Sequence, residues 1–510
     1  MPNPYLDECH QALPRLLSLF DRDPTSSTYG LGDRYYWGWK LIDFGNGTYQ
    51  GAANGLARLM VNDLLPVGIS KTAVARRINA CFDGAAKLMR KNGSMEEAFP
   101  HESSFCVTAL VAYDLLTAIE LTDHECGELE IVRPMIEFLM RADEHHAFIS
   151  NHLATAAAAL QKWAALSGSD TGARANMFLE RILDQQSEEG WFNEYGGADP
   201  GYQTLCMYYL ADVLRMTPDN ERLAGALNRS SEFLAHFVHP DGSFAGVYGS
   251  RHTRFFCPAG MEYMAASTSS AAAICEAMRA SISRGSTITL GVFDEPNLVP
   301  FFNAYAWAAT LAESSTSDYT LPCHCDPSET YFGEAGLYTR TTSVGYTVVS
   351  TKKGGVFHYV ARDGSDVEID CGLLAMNESG QYYTTQKVGG GEHVEVSEDS
   401  LSLSSAFYPL RSGPPSVFQF TVLRGLCLTL MRWGPSREWV KKALVRMLIT
   451  GARPTRSRNR RVITWPEGRP IVEDQEELDK AENLRLVNPK GEFSSIHMAS
   501  KGYWQLQDDA

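Results

Sequence analysis

The sequence lacks the features that define several large classes of protein. No apolar run reaches the roughly 18 residues that a membrane-spanning helix needs. The eleven cysteines are scattered without paired spacing, and their odd number in so long a chain argues against a disulfide scaffold. Positive charge is also scarce, because 45 Lys and Arg residues face 61 Asp and Glu residues. The resulting net charge of −16 argues against a nucleic-acid-binding protein.

What remains is a folded protein of several domains. Hydrophobic residues make up 44% and charged residues 21% of the 510 positions, which is typical of a soluble globular chain. A chain of this length predicts two domains or more. The first twenty residues carry Asp7, Glu8 and Arg15 without an uninterrupted apolar stretch, so they do not resemble a signal peptide. We expect a cytoplasmic protein; export followed by removal of the signal is the alternative.

Two local clusters depart from the average composition. Five arginines lie within residues 453–461. They predict either a solvated strand or loop, or a contact with an anionic glycan, lipid head group or partner. Residues 323–325 read Cys-His-Cys, but no second Cys/His pair follows at the spacing of a zinc site. We therefore predict an ordinary linker there, and no metal or cofactor.

A Gly-containing loop recurs along the first three-fifths of the chain. It occurs at residues 46–49, 92–94, 189–192 and 241–244, and each copy is followed by a helical pattern. The spacing is about fifty residues or twice that, and a polar stretch near residue 142 fills the long interval. Five loops on one period predict repeated helical hairpins whose loops lie on one side.

Each repeat contains two amphipathic helical patterns. Those after the loops are rich in Ala, Leu, Met and Tyr, as buried inner helices should be: about 49–65, 102–121, 151–167, 201–216 and 259–281. The alternating set carries the charges of an outer ring: about 71–91, 126–142, 172–187 and 221–237. With one further apolar helix at about 297–313, the pattern predicts an incomplete (α/α) toroid.

Beyond about residue 320 the pattern changes to alternating, β-branched segments. Predicted strands lie at 336–342, 345–350, 356–360, 367–371, 401–406, 417–423 and 426–432. They predict an antiparallel β-sandwich, and residues 437–449 predict an amphipathic helix. The predicted domains are the toroid at 1–320 and, at 321–510, the sandwich with its C-terminal helix and a charged tail.

Polar residues stand at the starts of the predicted inner helices. If every inner helix begins at the same end of the ring, these residues converge at one mouth. They are His101, Glu102, Asn151, His152, Asp199, Tyr202, His252 and Arg254. The side chains of this set include imidazoles, an amide, a phenol and a guanidinium, all at the same phase of the repeat. Such a set favours a functional site over separate helix caps.

The order of some of these residues resembles the heparinase II/III-like polysaccharide lyases and the related alginate lyases. Asn151 and His152 open one predicted inner helix and Tyr202 opens the next. His358 follows in the strand-turn segment GGVFHYVARDGSD. The resemblance spans about residues 40–430 and rests on order and spacing. It implies an incomplete α/α toroid followed by a β-sandwich, and a lyase acting on a uronic-acid-containing polysaccharide.

The same resemblance implies a role for each residue. Asn151 and His152 would neutralise the uronate carboxylate and stabilise the enediolate-like intermediate of β-elimination. Tyr202 would give or take a proton at C5 or at the leaving O4, and His358 would be the second acid/base or orient the sugar. The residues expected to bind the substrate are His101, Glu102, Trp191, His252 and Arg254.

The sequence departs from this family at one metal position. Many members bind a structural zinc through a second His two residues after the catalytic one, and that position is Val360 here. We therefore do not expect a zinc in the sandwich. The expected partner is an anionic polysaccharide or oligosaccharide, with bacterial surface polysaccharides among the candidates. The polymer, endo or exo action, the stereochemistry of elimination and the oligomeric state stay open.

Two other functions fit the same fold. A glycoside hydrolase needs two carboxyl groups across its cleft, and the candidates are Glu97, Glu102, Glu194, Asp199 and Glu262. A non-catalytic protein of polysaccharide assembly would bind sugar through Trp191, Phe192, Tyr195 and Tyr248. A terpenoid-cyclase toroid is disfavoured, because the sequence contains no DDxxD or DxDD motif.

Overall fold

The computed structural model describes residues 3–144, 148–312, 317–410, 413–445 and 453–496. Within these ranges the N-terminal part is helical. Its helices are α1 (Pro4–Ser18), α2 (Arg34–Trp37), α3 (Ala52–Val61), α4 (Lys71–Leu88), α5 (Phe105–Leu121), α6 (Leu129–Arg141), α7 (Ser150–Ser167), α8 (Gly172–Asp184), α9 (Pro200–Met216), α10 (Glu221–Ala235), α11 (Pro258–Ala265), α12 (Ser269–Arg284) and α13 (Glu295–Leu311).

These helices form two concentric rings. Neighbours in the inner ring are α3, α5, α7, α9, α11 and α13, and α13 packs back onto α3. The outer ring consists of α4, α6, α8, α10, α12 and α1, each packed on an inner helix. The residues that precede the inner helices therefore lie together at one end of the toroid, as the repeat predicts.

The ring is closed between its last and first inner helices. The Asn303 side chain on α13 accepts a hydrogen bond from the Gly55 N–H and donates one to the Gly51 carbonyl oxygen, each 2.9 Å long. This corrects the predicted gap, while the fold class of a helical toroid followed by antiparallel sheets is confirmed. The segment 259–281, for which the sequence predicts a single helix, accounts for the predicted gap. It contains both α11 and α12, and α1 completes the outer ring.

Polar side chains also hold the inner helices together at the axis. The Asn54 amide donates to Asp114 Oδ1 over 2.8 Å and contacts the Tyr208 hydroxyl at 3.1 Å, while Arg58 donates to Asn54 Oδ1. Burial raises the pKa of Asp114 to about 8, so this carboxyl group is mostly protonated at neutral pH. These hydrogen bonds connect α3, α5 and α9. Apolar contacts alone would not specify how the three helices are arranged around the axis.

The glycines of the repeated loops explain why that motif recurs. Gly93 and Gly190 have φ of 87° and 97°, a region that side-chain-bearing residues rarely adopt. A Cβ atom at Gly93 would lie 1.9 Å from the Pro134 carbonyl oxygen on α6, and one at Gly190 would lie 2.3 Å from the Arg229 carbonyl oxygen on α10. Each loop is therefore packed directly onto an outer helix of the next hairpin.

The C-terminal part contains antiparallel sheets. Its strands are β1 (Ser328–Phe332), β2 (Leu337–Thr341), β3 (Gly345–Ser350), β4 (Val356–Ala361), β5 (Val367–Asp370), β6 (Leu374–Met376), β7 (Tyr382–Thr384), β8 (Gly391–Val396), β9 (Ser400–Ala406), β10 (Tyr408–Pro409), β11 (Arg458–Thr464), β12 (Ile471–Glu477) and β13 (Arg485–Val487). The sheet orders are β1-β2-β3-β4-β5, β10-β7-β6-β13 and β12-β11-β9-β8. Phe357 and Tyr359 of the first sheet share a buried cluster with Leu403 and Ile463 of the third, which makes these two sheets a sandwich.

Two predicted strands are wrong. Residues 417–423 and 426–432 lie instead in helix α14 (Val417–Leu428) and the short turn that follows it. A capping box between Ser416 and Gln419 starts this helix and overrides the β-branched composition of its first turns. Helix α15 (Gly434–Val445) follows, and the predicted helix at 437–449 agrees with it up to residue 445; positions 446–449 lie outside the described residues.

The pair α14–α15 crosses from the sandwich to the toroid mouth. Cys427, Met431 and Val440 form a small buried cluster against Phe99, which lies in the loop before α5. Arg424 is ion-paired with Asp43 at 3.1 Å. Both contacts place the pair over the end of the toroid where the inner helices begin.

One residue of the arginine-rich run has a structural role. Arg461, from the arginine-rich run, is buried in the sandwich and pairs with Asp370 at 2.7 Å and Asp474 at 2.8 Å. All eleven cysteines are free thiols. Across the described ranges, no helix has both the length and the apolar character needed to cross a membrane.

We predict that the two glycines Gly190 and Gly168 respond differently to alanine. Both have positive φ, but a Cβ atom at Gly168 would meet nothing within 4 Å. Gly168→Ala should lower the free energy of unfolding by about 1–2 kcal/mol through backbone strain alone. Gly190→Ala should cost about 3 kcal/mol or more, because strain and the clash with Arg229 add. Urea denaturation measures both, and equal losses would contradict the packing role of the loop glycine.

Candidate active site at the toroid mouth

A cavity of about 810 Å³ opens where the inner helices begin. Its wall contains residues from the starts of α5, α7, α9 and α13, and from α15. Four predicted site residues line it together: Glu102, Asn151, His152 and Tyr202. They come from three separate repeats, so the ring brings distant parts of the chain to one surface.

Asp199 fixes the start of α9. As the N-cap, its carboxylate accepts the Tyr202 backbone N–H at 3.1 Å. The same carboxylate accepts the Arg251 backbone N–H at 2.7 Å and the Thr253 hydroxyl. One buried side chain therefore positions both Tyr202 and the loop that carries Arg251.

Asn151 is oriented by a buried carboxyl group. Its backbone N–H donates to Glu194 Oε1 at 3.0 Å, and its side-chain amide donates to Glu194 Oε2 at 2.8 Å. Burial raises the pKa of Glu194 to about 8, against the opposing effect of His152 and the Asn151 hydrogen bonds. An Asn side chain has two N–H donors, so this contact fixes the amide and leaves it a second donor.

His152 carries a positive charge at the cavity wall. Its Nδ1 lies 2.8 Å from Glu144 Oε2, and the Cys106 thiol is within hydrogen-bonding reach of the ring. Burial by itself lowers the pKa of His152, but the contact with Cys106 and the hydrogen bond to Glu144 outweigh it. Because burial also raises the pKa of Cys106 and keeps it a neutral thiol, the Glu144 carboxylate is the partner that favours a charged ring. The pKa is raised well above its ordinary value.

Tyr202 lies among aromatic and cationic neighbours. Its ring packs edge-on against Phe255, with ring centres 5.3 Å apart. Burial raises the pKa of Tyr202, Tyr195 raises it further, and Arg251 lowers it. The Arg251 guanidinium sits 3.8 Å from the centre of the Tyr195 ring, and Tyr195 has a φ of 57°, a strained backbone conformation. Tyr195 also lines the cavity.

Glu102 and Glu97 form an acidic pair on the opposite part of the lining. Glu102 accepts the backbone N–H groups of Glu97 and Ala98. Burial and the charge of Glu97 raise the pKa of Glu102 to about 7, although Lys441 opposes this shift. A carboxyl group that titrates near neutrality can donate or accept a proton.

His358 lies apart from this cavity. It is buried at the contact between β4 and the loop 236–254, and its ring centre is 4.4 Å from that of His239. Neither ring nitrogen has a hydrogen-bond partner among the described residues. Burial lowers the pKa of His358 well below its ordinary value, and nearby His239 and Arg254 lower it further. The side chain is therefore neutral, and it is not among the cavity-lining residues.

The other expected substrate contacts also lie outside the cavity lining. Trp191 donates its indole N–H to Glu189 at 3.1 Å. Arg254 is ion-paired with Glu492, and His252 is buried with a φ of 56°. His101 directly precedes the lining residue Glu102 in the chain but does not line the cavity, and burial and then Arg90 lower its pKa.

Comparison with known proteins gives resemblances of shape only. No protein-family model matches the sequence, and no curated protein matches it. Chondroitin AC lyase of Streptomyces coelicolor A3 superposes with a TM-score of 0.48 at 10% identity, covering 80% of this chain and 67% of the lyase. Cellobiose 2-epimerase of Bacillus thermoamylovorans B4167 gives 0.45 at 11%, covering 61% and 99%. A family 76 glycoside hydrolase (mannosidase) of Bacteroides thetaiotaomicron gives 0.38 at 11%, covering 60% and 98%.

At such low identities and TM-scores these similarities assign neither a reaction nor a residue role to this chain. The three similar proteins are named as a lyase, an epimerase and a glycoside hydrolase, so their names describe three different reactions on sugars. The chemistry of the site must therefore be argued from its own residues.

Sequence reasoning missed three kinds of lining residue. Cys106 was counted with the apolar helix pattern, although it is the second residue of α5 and so has the same phase as Asn151 in α7. Glu144 lies in the polar stretch near residue 142 but was not singled out. Arg437 and Lys441 come from α15, and no repeat in the toroid could have indicated them.

The described part of the chain contains no group of three or more His, Cys, Asp or Glu side chains that could hold a metal ion. Cys323 is buried in a short helical turn, and burial raises the pKa of its thiol to about 12. The metal-ligating form of cysteine, a thiolate, is thus disfavoured at this position.

We predict that Glu144→Gln lowers the pKa of His152, because the ring loses its charged partner. A raised histidine pKa stabilises the fold fully below the unfolded value of about 6.5, and that contribution is lost as the pH rises through the folded pKa. Glu144→Gln should therefore lower the free energy of unfolding most strongly near pH 6.5. The difference from wild type should become smaller as the pH rises above that value. NMR titration of the ring and urea unfolding at several pH values measure these effects.

Asp143→Asn is the matched control, because it removes the neighbouring carboxylate, which pairs with Arg181 at 2.7 Å. It should leave the titration of His152 almost unchanged. A similar shift in both variants would mean that the general acidity of the mouth, and not the Glu144 contact, keeps His152 charged.

Proposed function

We propose that this chain is a carbohydrate-active enzyme, a polysaccharide lyase that cleaves a uronic-acid-containing glycan by β-elimination. The observation that supports this is the shared wall of Asn151, His152 and Tyr202 in one cavity. An amide donor, a cationic imidazole and a phenol are the groups that this reaction needs side by side. The substrate class is an anionic polysaccharide or oligosaccharide.

The first requirement of the reaction is an acidic C5 proton. A uronate carboxylate beside C5 holds this proton tightly until its negative charge is neutralised. The positive charge of His152 and the second N–H donor of Asn151 would supply that neutralisation and stabilise the enediolate-like intermediate. Glu194 holds the amide of Asn151 in place, so little ordering is left for the moment of reaction.

Tyr202 is assigned both proton transfers in this proposal. Its phenolate would remove the C5 proton, and the resulting phenol would protonate O4 as the C4–O4 bond breaks and the C4–C5 double bond forms. Burial disfavours this phenolate more strongly than the nearby Arg251 favours it, so a bound substrate must make the proton transfer easier than it is in the free site. The proton balance closes without water or another reactant. Because His358 is outside the cavity lining, the proposal needs a substrate whose C5–H and O4 lie on the same side of the ring, which is syn elimination.

A second candidate function is glycoside hydrolysis, which the acidic pair favours. Glu102, with a pKa of about 7, suits a general acid, and Glu97 is its nearest carboxylate. The lining is also rich in acidic side chains, which weakens the attraction of a polyanion unless the local cations offset them.

We predict that a screen of uronate-containing polymers detects a product with the ultraviolet absorbance of an unsaturated uronate. Tyr202→Phe should reduce the rate of its formation by about 10²–10⁴-fold, because proton transfer is lost. Tyr331→Phe, at an exposed position on β1, is the control and should keep the wild-type rate. If wild type and Tyr202→Phe behave alike on every polymer, the lyase proposal is wrong.

We predict that Glu102→Gln separates the two candidate functions. A lyase that uses Tyr202 should retain most of its elimination rate, since the glutamine keeps the size of the side chain and its hydrogen-bonding capacity. A hydrolase should instead lose reducing-end release by about 10²-fold or more and give no ultraviolet product in either form. Measuring both readouts on the same polymer distinguishes the outcomes.

A further inference from the structure

The inserted pair α14–α15 exposes an unusual number of large apolar side chains. Phe418 is 76% exposed, and Trp433 and Trp439 are 69% and 67% exposed. The exposed apolar set is Val417, Phe418, Phe420, Val422, Leu428, Leu430, Trp433 and Trp439. A soluble surface rarely gathers so many in one short segment, so this apolar surface indicates a binding partner.

Helix α14 is apolar on nearly all sides. Of its twelve residues only Cys427 is buried, although Arg424 is its only charged side chain. A helix that is apolar all round is normally covered by a protein core or by lipid. Residues 413–423, which form its leading end, carry no charge at all.

The helix pair α14–α15 carries a net positive charge, whereas the whole chain carries a net negative charge. Residues 413–445 contain five basic side chains and one acidic side chain, in a protein whose net charge is −16. Arg432 and Lys442 are exposed, and both follow the apolar residues 417–423 in the chain. An apolar tip followed by cations and tryptophans matches the layers of an anionic membrane surface, from acyl chains to head groups.

We propose that α14–α15 docks the protein on a lipid bilayer that carries anionic head groups. The tip formed by Val417, Phe418 and Phe420 enters the acyl region. Trp433 and Trp439 lie at the head-group level with the exposed cations Arg432 and Lys442. Twelve residues make a helix about 18 Å long, too short to cross a hydrocarbon core of about 30 Å, so the helix lies in one leaflet.

A shallow second cavity on α14 fits the same ligand chemistry. It has a volume of about 440 Å³ and is lined by Pro415, Val417, Phe420, Thr421 and Arg424. Apolar walls with one guanidinium suit an acyl chain next to a phosphate. A second copy of the chain is a weaker occupant, because a two-fold axis through this surface would bring like cations together.

Docking would place the candidate active site beside the head groups. Arg437 and Lys441 of α15 line the 810 Å³ cavity, whereas none of the exposed apolar side chains of the pair is among its lining residues. The inference does not depend on the reaction: it concerns adsorption to vesicles, which is measured without substrate. Its failure would leave the proposed lyase untouched, and failure of the lyase would leave the docking surface untouched.

Flotation of the full chain with vesicles tests the proposal. We expect binding to vesicles of phosphatidylcholine plus phosphatidylglycerol, weaker binding to phosphatidylcholine alone, and weaker binding at high salt. The double variant Phe418→Ser/Phe420→Ser should reduce the partition coefficient on the anionic vesicles by about tenfold or more. Its thermal unfolding should match wild type, because both rings are exposed.

Two valines give a matched control. Val417 is 86% exposed on α14, whereas Val67 is fully exposed in the loop after α3, at the opposite end of the toroid. Val417→Ser should weaken vesicle binding and Val67→Ser should not. The proposal is overturned if wild type binds neither vesicle, or if the two valine variants lose binding equally. It is also overturned if sedimentation equilibrium shows a wild-type dimer that Phe418→Ser/Phe420→Ser converts to monomers, since the surface would then bind a second copy.

Discussion

Closure of the inner ring is the constraint on which the candidate site depends. Each polar residue at the mouth is ordinary in its own hairpin, and only the circular arrangement brings them to one cavity. The contact that completes the circle joins positions about 250 residues apart, through Asn303, Gly51 at the N-cap of α3 and Gly55 within α3. Because Gly55 lacks a side chain, α13 can approach α3 closely; a Cβ atom at Gly55 would lie 2.6 Å from the Phe302 ring and 2.7 Å from Asn303 Oδ1. The axial hydrogen bonds of Asn54 then fix which helices are neighbours.

The mouth combines buried carboxyl groups with few compensating charges. Glu194, Glu102 and the axial Asp114 all have raised pKa values, chiefly because burial disfavours their charged forms. A Glu194 that is mostly neutral adds little negative charge beside His152, although Glu144, 2.8 Å from the imidazole, offsets the positive charge of the ring. The acid–base capacity of these carboxyl groups near neutral pH thus arises from their desolvation.

The repeat made much of the fold predictable. The phase of the loops gave the inner and outer helices and correctly gathered Glu102, Asn151, His152 and Tyr202 at one end. The break between α11 and α12 was missed, because the small residues there interrupt neither hydrophobicity nor composition. Residues 417–432 were misread as strands, since β-branched residues predominate and only the Ser416 capping box indicates a helix. His358 was placed near the site by its order in the chain, but order cannot specify which face of the toroid a sheet will cover.

The segment that contains α14 and α15 is an insertion in the sandwich, and its two ends lie close together. The Thr455 backbone N–H donates to the Phe407 carbonyl oxygen at 2.8 Å, so the chain is bridged just outside the two ends of the insertion. Strands β9 and β11, on either side, pair directly with each other. A short turn could join them without changing the register of the sheet. The insertion is thus a removable module: the toroid and the sandwich supply the scaffold, and evolution can exchange the rim of the mouth without rebuilding either one.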